Sequence, residues 1–260
     1  TGAAVCTMLL LAGHSPWIAM LCAVLAGLLA GTVTGLLHVL LGIPPILAGI
    51  LTQMVLWSVN LKILGKANQA LPARSIDVLL TQMNIPAALP VLLGWAAVLV
   101  TLLVLFFSTE LGCALRATGC NPVMSRAQGV NTGLMKVIGL ALSNAVVAMS
   151  GGLLCQYQGY TDVNMGRGAV VIGLAAVVIG QAVLGRRGGH MAAQLGGVVL
   201  GAVIYYIVYQ VIIFAGFDTD LLKMFSAVVV AVFLGVPHVR DQIRTNSRIK
   251  KGGSRHAENA

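Results

Sequence analysis

The chain has 260 residues, of which 58% are hydrophobic and 9% charged, with 16 Lys and Arg against 7 Asp and Glu. Soluble domains carry about 25% charged residues, so this chain lacks the polar atoms to coat a water-exposed globule, and soluble enzyme folds are excluded. The net charge of +9 does not describe a nucleic-acid surface, which gathers cations and aromatics on one folded face; here the cations fall between and after apolar runs.

No Lys, Arg, Asp or Glu occurs in residues 1–61, 87–109, 137–161, 188–217 or 224–239. A hydrocarbon core about 30 Å thick takes roughly 20 helical residues. In chain order, the apolar stretches predict membrane segments over 1–13, 17–41, 46–61, 87–107, 134–155, 168–184 and 191–214, with a short eighth over 223–236. The expected fold is all-α, a polytopic transmembrane bundle over residues 1–236 followed by a basic, disordered tail over 237–260. Thr1 lies inside an apolar stretch, with no basic leader and cleavage motif before it, which reads as an N-terminally truncated piece.

The first segment is followed by Trp17 and by Gly27, Gly31 and Gly35 on the second. Residues four apart share a helix face, so these glycines strip side chains from one stripe and admit a neighbouring backbone. Gly197 and Gly201 repeat the spacing late in the chain, a recurrence that also fits an internal duplication. Segment 46–61 is short and follows Gly42, Ile43, Pro44 and Pro45. Two prolines cannot continue a helix ladder, so a broken or re-entrant element is expected there.

Orientation follows from the cations, because Lys and Arg are retained in the cytoplasm. With 108–133 and the adjoining Lys136, 185–190 and the tail from 237 on one side, that side holds 11 Lys and Arg and a net charge of +8. The other side holds Lys62, Lys66, Arg74, Arg167 and Lys223, for a net +1. The C-terminus is therefore expected in the cytoplasm.

The stretch 108–133, STELGCALRATGCNPVMSRAQGVNTG, is then the one substantial cytoplasmic loop between membrane helices. Asn121 can cap free amides and Pro122 suits a first helical position, while Gly129 offers a left-handed stop. These signals predict a helix of about two turns from Pro122 to Gln128, either gripped by another protein or resting on the lipid surface. The five cysteines (Cys6, Cys22, Cys113, Cys120, Cys155) form no CxxC pair and read as small apolar fillers rather than a zinc site or disulfide framework.

The runs LGCALRATGCNPVMSRAQGVN and KVIGLALSNAVVAMSGGLLCQYQGY resemble the permease subunits of bacterial ABC importers of the branched-chain amino acid and ribose class. Within that class they most resemble permeases for tryptophan/tyrosine-type or unassigned amino-acid substrates. The resemblance covers essentially the whole chain, starting within the family's second membrane segment. It implies that Leu115, Arg116, Ala117, Gly119, Asn121, Pro122, Arg126, Ala127 and Gly129 form a coupling helix seated in a separate ATPase subunit. It further implies a second permease subunit, an extracytoplasmic solute-binding protein docked on the outer loops 62–86, 156–168 and 215–222, and residence in the bacterial inner membrane. No phosphate loop is present: the only Gly-Lys pair, Gly65 and Lys66, precedes Ala67 rather than Ser or Thr. No cofactor is expected.

Polar side chains within membrane segments are costly unless they face a partner or water. Gln53, Asn60, Ser143 and Asn144 are the candidates for a translocation path, with Asn144 either lining a pore or making an interhelical hydrogen bond. Gln156, Gln158 and Asp162 are placed at a solvated outer mouth. Tyr157 and Tyr160 either anchor the interface or stack on an aromatic solute. An ion-coupled secondary transporter would call for a deep Asp or Glu, and an intramembrane hydrolase for an Asp pair, a Ser/His pair or HExxH; neither pattern is present. The expected cargo is a small polar solute, an amino acid, with a sugar or nucleoside as the alternative.

Overall fold

A computed structural model of the chain describes residues 1–72, 78–79, 85–166, 168–184 and 191–214. They divide into two compact units, one over residues 1–166 and a second from residue 167 onward. The predicted segment 223–236 and the basic tail lie outside the described residues.

The first unit opens with α1 (Gly2–Leu11), α2 (Pro16–Leu40) and α3 (Pro45–Leu64). Helix α3 corrects the expectation of a short or broken segment. It is a continuous helix of 20 residues, long enough to cross a bilayer at 1.5 Å per residue. Pro44 is its N-cap and Pro45 its first residue, where the missing amide has no intrahelical partner to lose. The prolines therefore start the helix instead of interrupting it. At its other end the helix runs past the apolar stretch through Lys62, whose long stem can carry its charge toward the interface.

After α3 come strand β1 (Asn68–Ala70), α4 (Ile85–Ser108), α5 (Glu110–Cys120), α6 (Pro122–Ala127), α7 (Thr132–Gln158) and strand β2 (Tyr160–Asp162). The two strands add a small antiparallel clasp to an otherwise helical fold, in the register Asn68↔Asp162, Gln69↔Thr161 and Ala70↔Tyr160. The Leu71 amide extends it by donating to the Gly159 carbonyl at 2.8 Å. Nothing in a three-residue segment announces a strand; the pairing joins the chain that leaves α3 to the chain that leaves α7.

Helices α2 and α7 are the spine of the unit, and α1 lies against both. The predicted stripe of Gly27, Gly31 and Gly35 is the seam. A methyl group on Gly31 would overlap the Leu140 carbonyl and lie 2.7 Å from the Ala141 Cα and 2.8 Å from the Asn144 Cβ. On Gly27 it would lie 2.6 Å from the Asn144 carbonyl oxygen, and on Gly35 2.8 Å from the Val137 Cα. Backbone thus meets backbone along three turns. Helix α3 is tied to α2 by a polar link, the Thr34 hydroxyl donating to Thr52 Oγ1 at 3.0 Å, with both residues buried.

The second unit contains α8 (Ala169–Leu184) and α9 (Met191–Phe214). Gly197 and Gly201 are buried in their seam, where Gly180 and Ala176 of α8 meet them through backbone atoms. Tyr205 is buried below this crossing and stacks on Tyr209, with ring centroids 6.4 Å apart. Five of the described helices (α2, α3, α4, α7 and α9) are long and apolar enough to cross a membrane.

Candidate functional site

Helix α7 has 27 residues, about 40 Å of rise, and separates two ends of the first unit. At its start lie α5 and α6, and after its last turn comes the β1–β2 clasp. The end of α2 joins the first of these ends through His38. Its Nδ1 lies 2.7 Å from the Ile43 carbonyl and its Nε2 3.4 Å from Lys136 Nζ. A carbonyl only accepts, so Nδ1 carries the proton and Nε2 accepts from the lysine.

The 108–133 stretch folds as two helices, one more than its sequence signals. Thr109 caps α5, accepting from the Gly112 amide at 3.3 Å. Leu115 of α5 packs on α7, where a methyl on Gly139 would lie 3.1 Å from the Leu115 Cδ1. Arg116, Ala117 and Gly119 are exposed.

Asn121 is the joint between α5 and α6. Its backbone is extended (φ −150°, ψ 96°), so the chain turns there, and its Oδ1 accepts from the amides of Val123 and Met124, each at 3.1 Å. Pro122 occupies the first helical position. Substituting Asn121→Ala removes both acceptor contacts and should weaken α6 by about 1 kcal/mol, seen as faster amide exchange at Val123 and Met124; unchanged exchange would show that the cap contributes nothing.

At the far end of α6, Gly129 has φ +84°, a conformation that a side chain resists. The turn is closed by the Gly129 amide donating to the Arg126 carbonyl at 3.0 Å and the Val130 amide to the Ser125 carbonyl at 3.1 Å. Arg126 then reaches α7, its Nη2 donating to Thr132 Oγ1 at 3.1 Å. Thr132 and Ser125 are buried and were not singled out in the sequence, where a small hydroxyl beside a helix start carries no distinctive signal. Val123 and Met124 are 78% and 59% exposed, and Ala127 is exposed as well. The result is a short rod with a bare apolar tip and a polar strut into α7.

The four path candidates are not gathered around one channel. Gln53 and Ser143 are exposed on α3 and α7. Asn144 faces α2 across Gly31, and its Nδ2 donates within its own helix to the Leu140 carbonyl at 2.8 Å. That contact lies within α7 rather than between helices, and the residue is half-buried. Asn60 is half-buried, and its Oδ1 is a buried acceptor with no hydrogen-bond partner among the described residues.

At the clasp end, Gln158 likewise holds a buried Oε1 with no partner among the described residues. The Asp162 carboxylate accepts from the Asn164 amide, and Trp57 Nε1 donates to Asn164 Oδ1 at 3.4 Å. Gln156 does not sit on a solvated rim. It is 0% exposed; its Oε1 accepts from the Leu79 amide at 2.9 Å and its Nε2 donates to Cys6 Sγ at 3.4 Å. The position near the end of α7 suggested solvent, but α1 and the chain around Leu71 and Leu79 fold over it.

Residues 1–237 match the family model described as branched-chain amino acid transport system, permease component. The chain is 35% identical over 250 residues to the tyrosine transport system permease protein of Clostridioides difficile, covering 95% of this chain and 82% of that one. It is 27% identical to the uncharacterised protein RP368 of Rickettsia prowazekii, over 83% of this chain and 77% of that protein. It is also 32% identical to the autoinducer 2 import system permease protein LsrC of Escherichia coli, over 73% of this chain and 55% of LsrC. No solved structure matches.

Proposed function

Since this chain belongs to the branched-chain amino acid transport system permease family, a multi-pass membrane protein of ABC importers whose ATP hydrolysis lies on a separate subunit, we propose that it carries an amino acid inward by alternating access. The cargo reading is supported by the tyrosine permease relative, which spans nearly the whole chain. The LsrC relative keeps a different cargo in play, and a sugar or nucleoside is the second reading.

In this mechanism, ATP-driven closure of two ATPase subunits moves α6, and a pair of permease subunits reorients around a central path. The observation that carries the proposal is the geometry of α6: an exposed Val123–Met124 tip, held at one end by the Asn121 cap and strutted to α7 by Arg126. Force on such a rod passes to α7, and through the glycine seam to α2. The α5–α6 end faces the cytoplasm together with the C-terminus, as the cation distribution indicates. The clasp end faces outward, where a solute-binding protein docks. There the unpaired oxygens of Asn60 and Gln158 offer acceptors for a solute ammonium group.

The test is reconstitution of the permease with its ATPase and binding protein in liposomes, followed by uptake of labelled amino acids. Accumulation of an amino acid that needs ATP and both partners is the expected result. Accumulation of only a sugar or nucleoside would overturn the cargo, and uptake without the ATPase would overturn the mechanism.

A further inference from the structure

Buried beneath the clasp are five neutral polar side chains, none of them used by the mechanism above. Thr7, Cys6, Cys155 and Gln156 are each 0% exposed and Thr161 is 2% exposed. Cys6 and Cys155 aim at the same acceptor, the Gly152 carbonyl, at 3.9 and 3.1 Å. The two thiols therefore converge on one carbonyl oxygen. Gln156 donates to Cys6, and Thr7 and Thr161 are joined by a 2.5 Å hydrogen bond.

The convergence comes from close backbone packing of α1 on α7. A methyl on Gly2 would overlap the Ala148 carbonyl, and one on Gly151 would lie 3.4 Å from the Ala3 amide nitrogen. Cys6 and Cys155 each lie one helical turn beyond this contact, and their thiols share the Gly152 carbonyl. Cys113 and Cys120 are exposed on α5 at the opposite end of α7.

We propose that Cys6 and Cys155 are a disulfide-forming pair that fastens α1 to α7 beneath the clasp. Both S–H bonds break and one S–S bond forms. Two protons and two electrons pass to an oxidant carrying a disulfide, which leaves as a dithiol. Charge decides between this and a soft metal ion held by two thiolates. A monovalent ion with two thiolates would keep a net negative charge in a pocket to which, among the described residues, no Lys, Arg or His contributes, and burying unpaired charge is costly. A disulfide is neutral. Oxidation in the cell rests on the outward orientation of the clasp proposed above, since disulfides persist in extracytoplasmic compartments.

The test uses the whole transporter in membranes treated with diamide, whose N=N bond accepts the two hydrogens. After denaturation, free thiols are blocked with iodoacetamide, disulfides are reduced, and the released thiols are labelled with N-ethylmaleimide and located by mass spectrometry. The expected result is loss of Cys6 and Cys155 together from the iodoacetamide pool while Cys113 stays in it. In the Cys6→Ala variant, Cys155 returns to the iodoacetamide pool. Persistence of both thiols as free after diamide would overturn the proposal, as would protection of Cys155 by any other cysteine in Cys6→Ala. Orientation is read separately, from labelling of Gln69→Cys in an otherwise cysteine-free chain by an impermeant maleimide on intact cells. Failure there removes the cellular oxidant but leaves the diamide result to decide the pair.

Discussion

The Gly31→Leu variant is expected to lose the α2–α7 seam and with it the folded permease. The first atom added at this position would collide with the Leu140 carbonyl and press on the Ala141 Cα. These are backbone atoms in the middle of a 27-residue helix, so no rotamer change relieves the clash and the helices must separate. Overpacking a core ordinarily costs about 1–3 kcal/mol; with backbone as the obstacle, at least about 3 kcal/mol is expected here. The loss spreads, because Gly27 and Gly35 lie on the same stripe and would be pulled off Asn144 and Val137. In detergent the thermal midpoint should fall by roughly 10 °C, if each kcal/mol moves a chain of this size by a few degrees. Gly94→Leu is the control, since nothing lies within 4 Å of a methyl there. Equal midpoints for the two variants would show that the glycine stripe is not what holds α2 to α7.

Gly129→Val is expected to leave the permease in the membrane but to cut ATP-driven uptake at least about tenfold, the equivalent of 1.4 kcal/mol. At φ +84° a side chain costs about 1–2 kcal/mol, and a β-branched one more, so the turn between α6 and α7 relaxes to another conformation. The Val130 to Ser125 bond and the reach of Arg126 to Thr132 both depend on that turn. Hydrolysis by the ATPase should continue, so the signature is fewer solutes moved per ATP rather than less protein. Gly129→Asn should retain more coupling, because asparagine tolerates the left-handed region. Arg126→Ala should uncouple without altering the turn, through loss of the strut alone. Wild-type uptake per ATP in both Gly129→Val and Arg126→Ala would remove α6 as the coupling element.

The rod between Asn121 and Gly129 was legible in advance because its signals are local: a capping amide, a proline at a first position, and a glycine where the chain must turn left-handed. The second helix of that loop was less so, since Thr109 is one hydroxyl among several. The fate of Gln156 was not legible at all. Its distance from the end of α7 is a property of the chain, but its burial depends on α1 and the Leu71–Leu79 region arriving from elsewhere.

By itself, the amino-acid order determined the membrane class, the apolar helices, the placing of cations between and after apolar runs and the capped rod, because each depends on the composition or spacing of residues close in sequence. Only the tertiary structure decided that Gly31 meets Ala141, that the Asn144 amide nitrogen donates within its own helix, that Cys6 and Cys155 converge on the Gly152 carbonyl and that Asn68 pairs with Asp162. In a chain where nearly every helix face is apolar, hydrophobicity does not say which face meets which. That choice falls to backbone shape at the glycines and to the few hydrogen bonds that can be made where water does not reach.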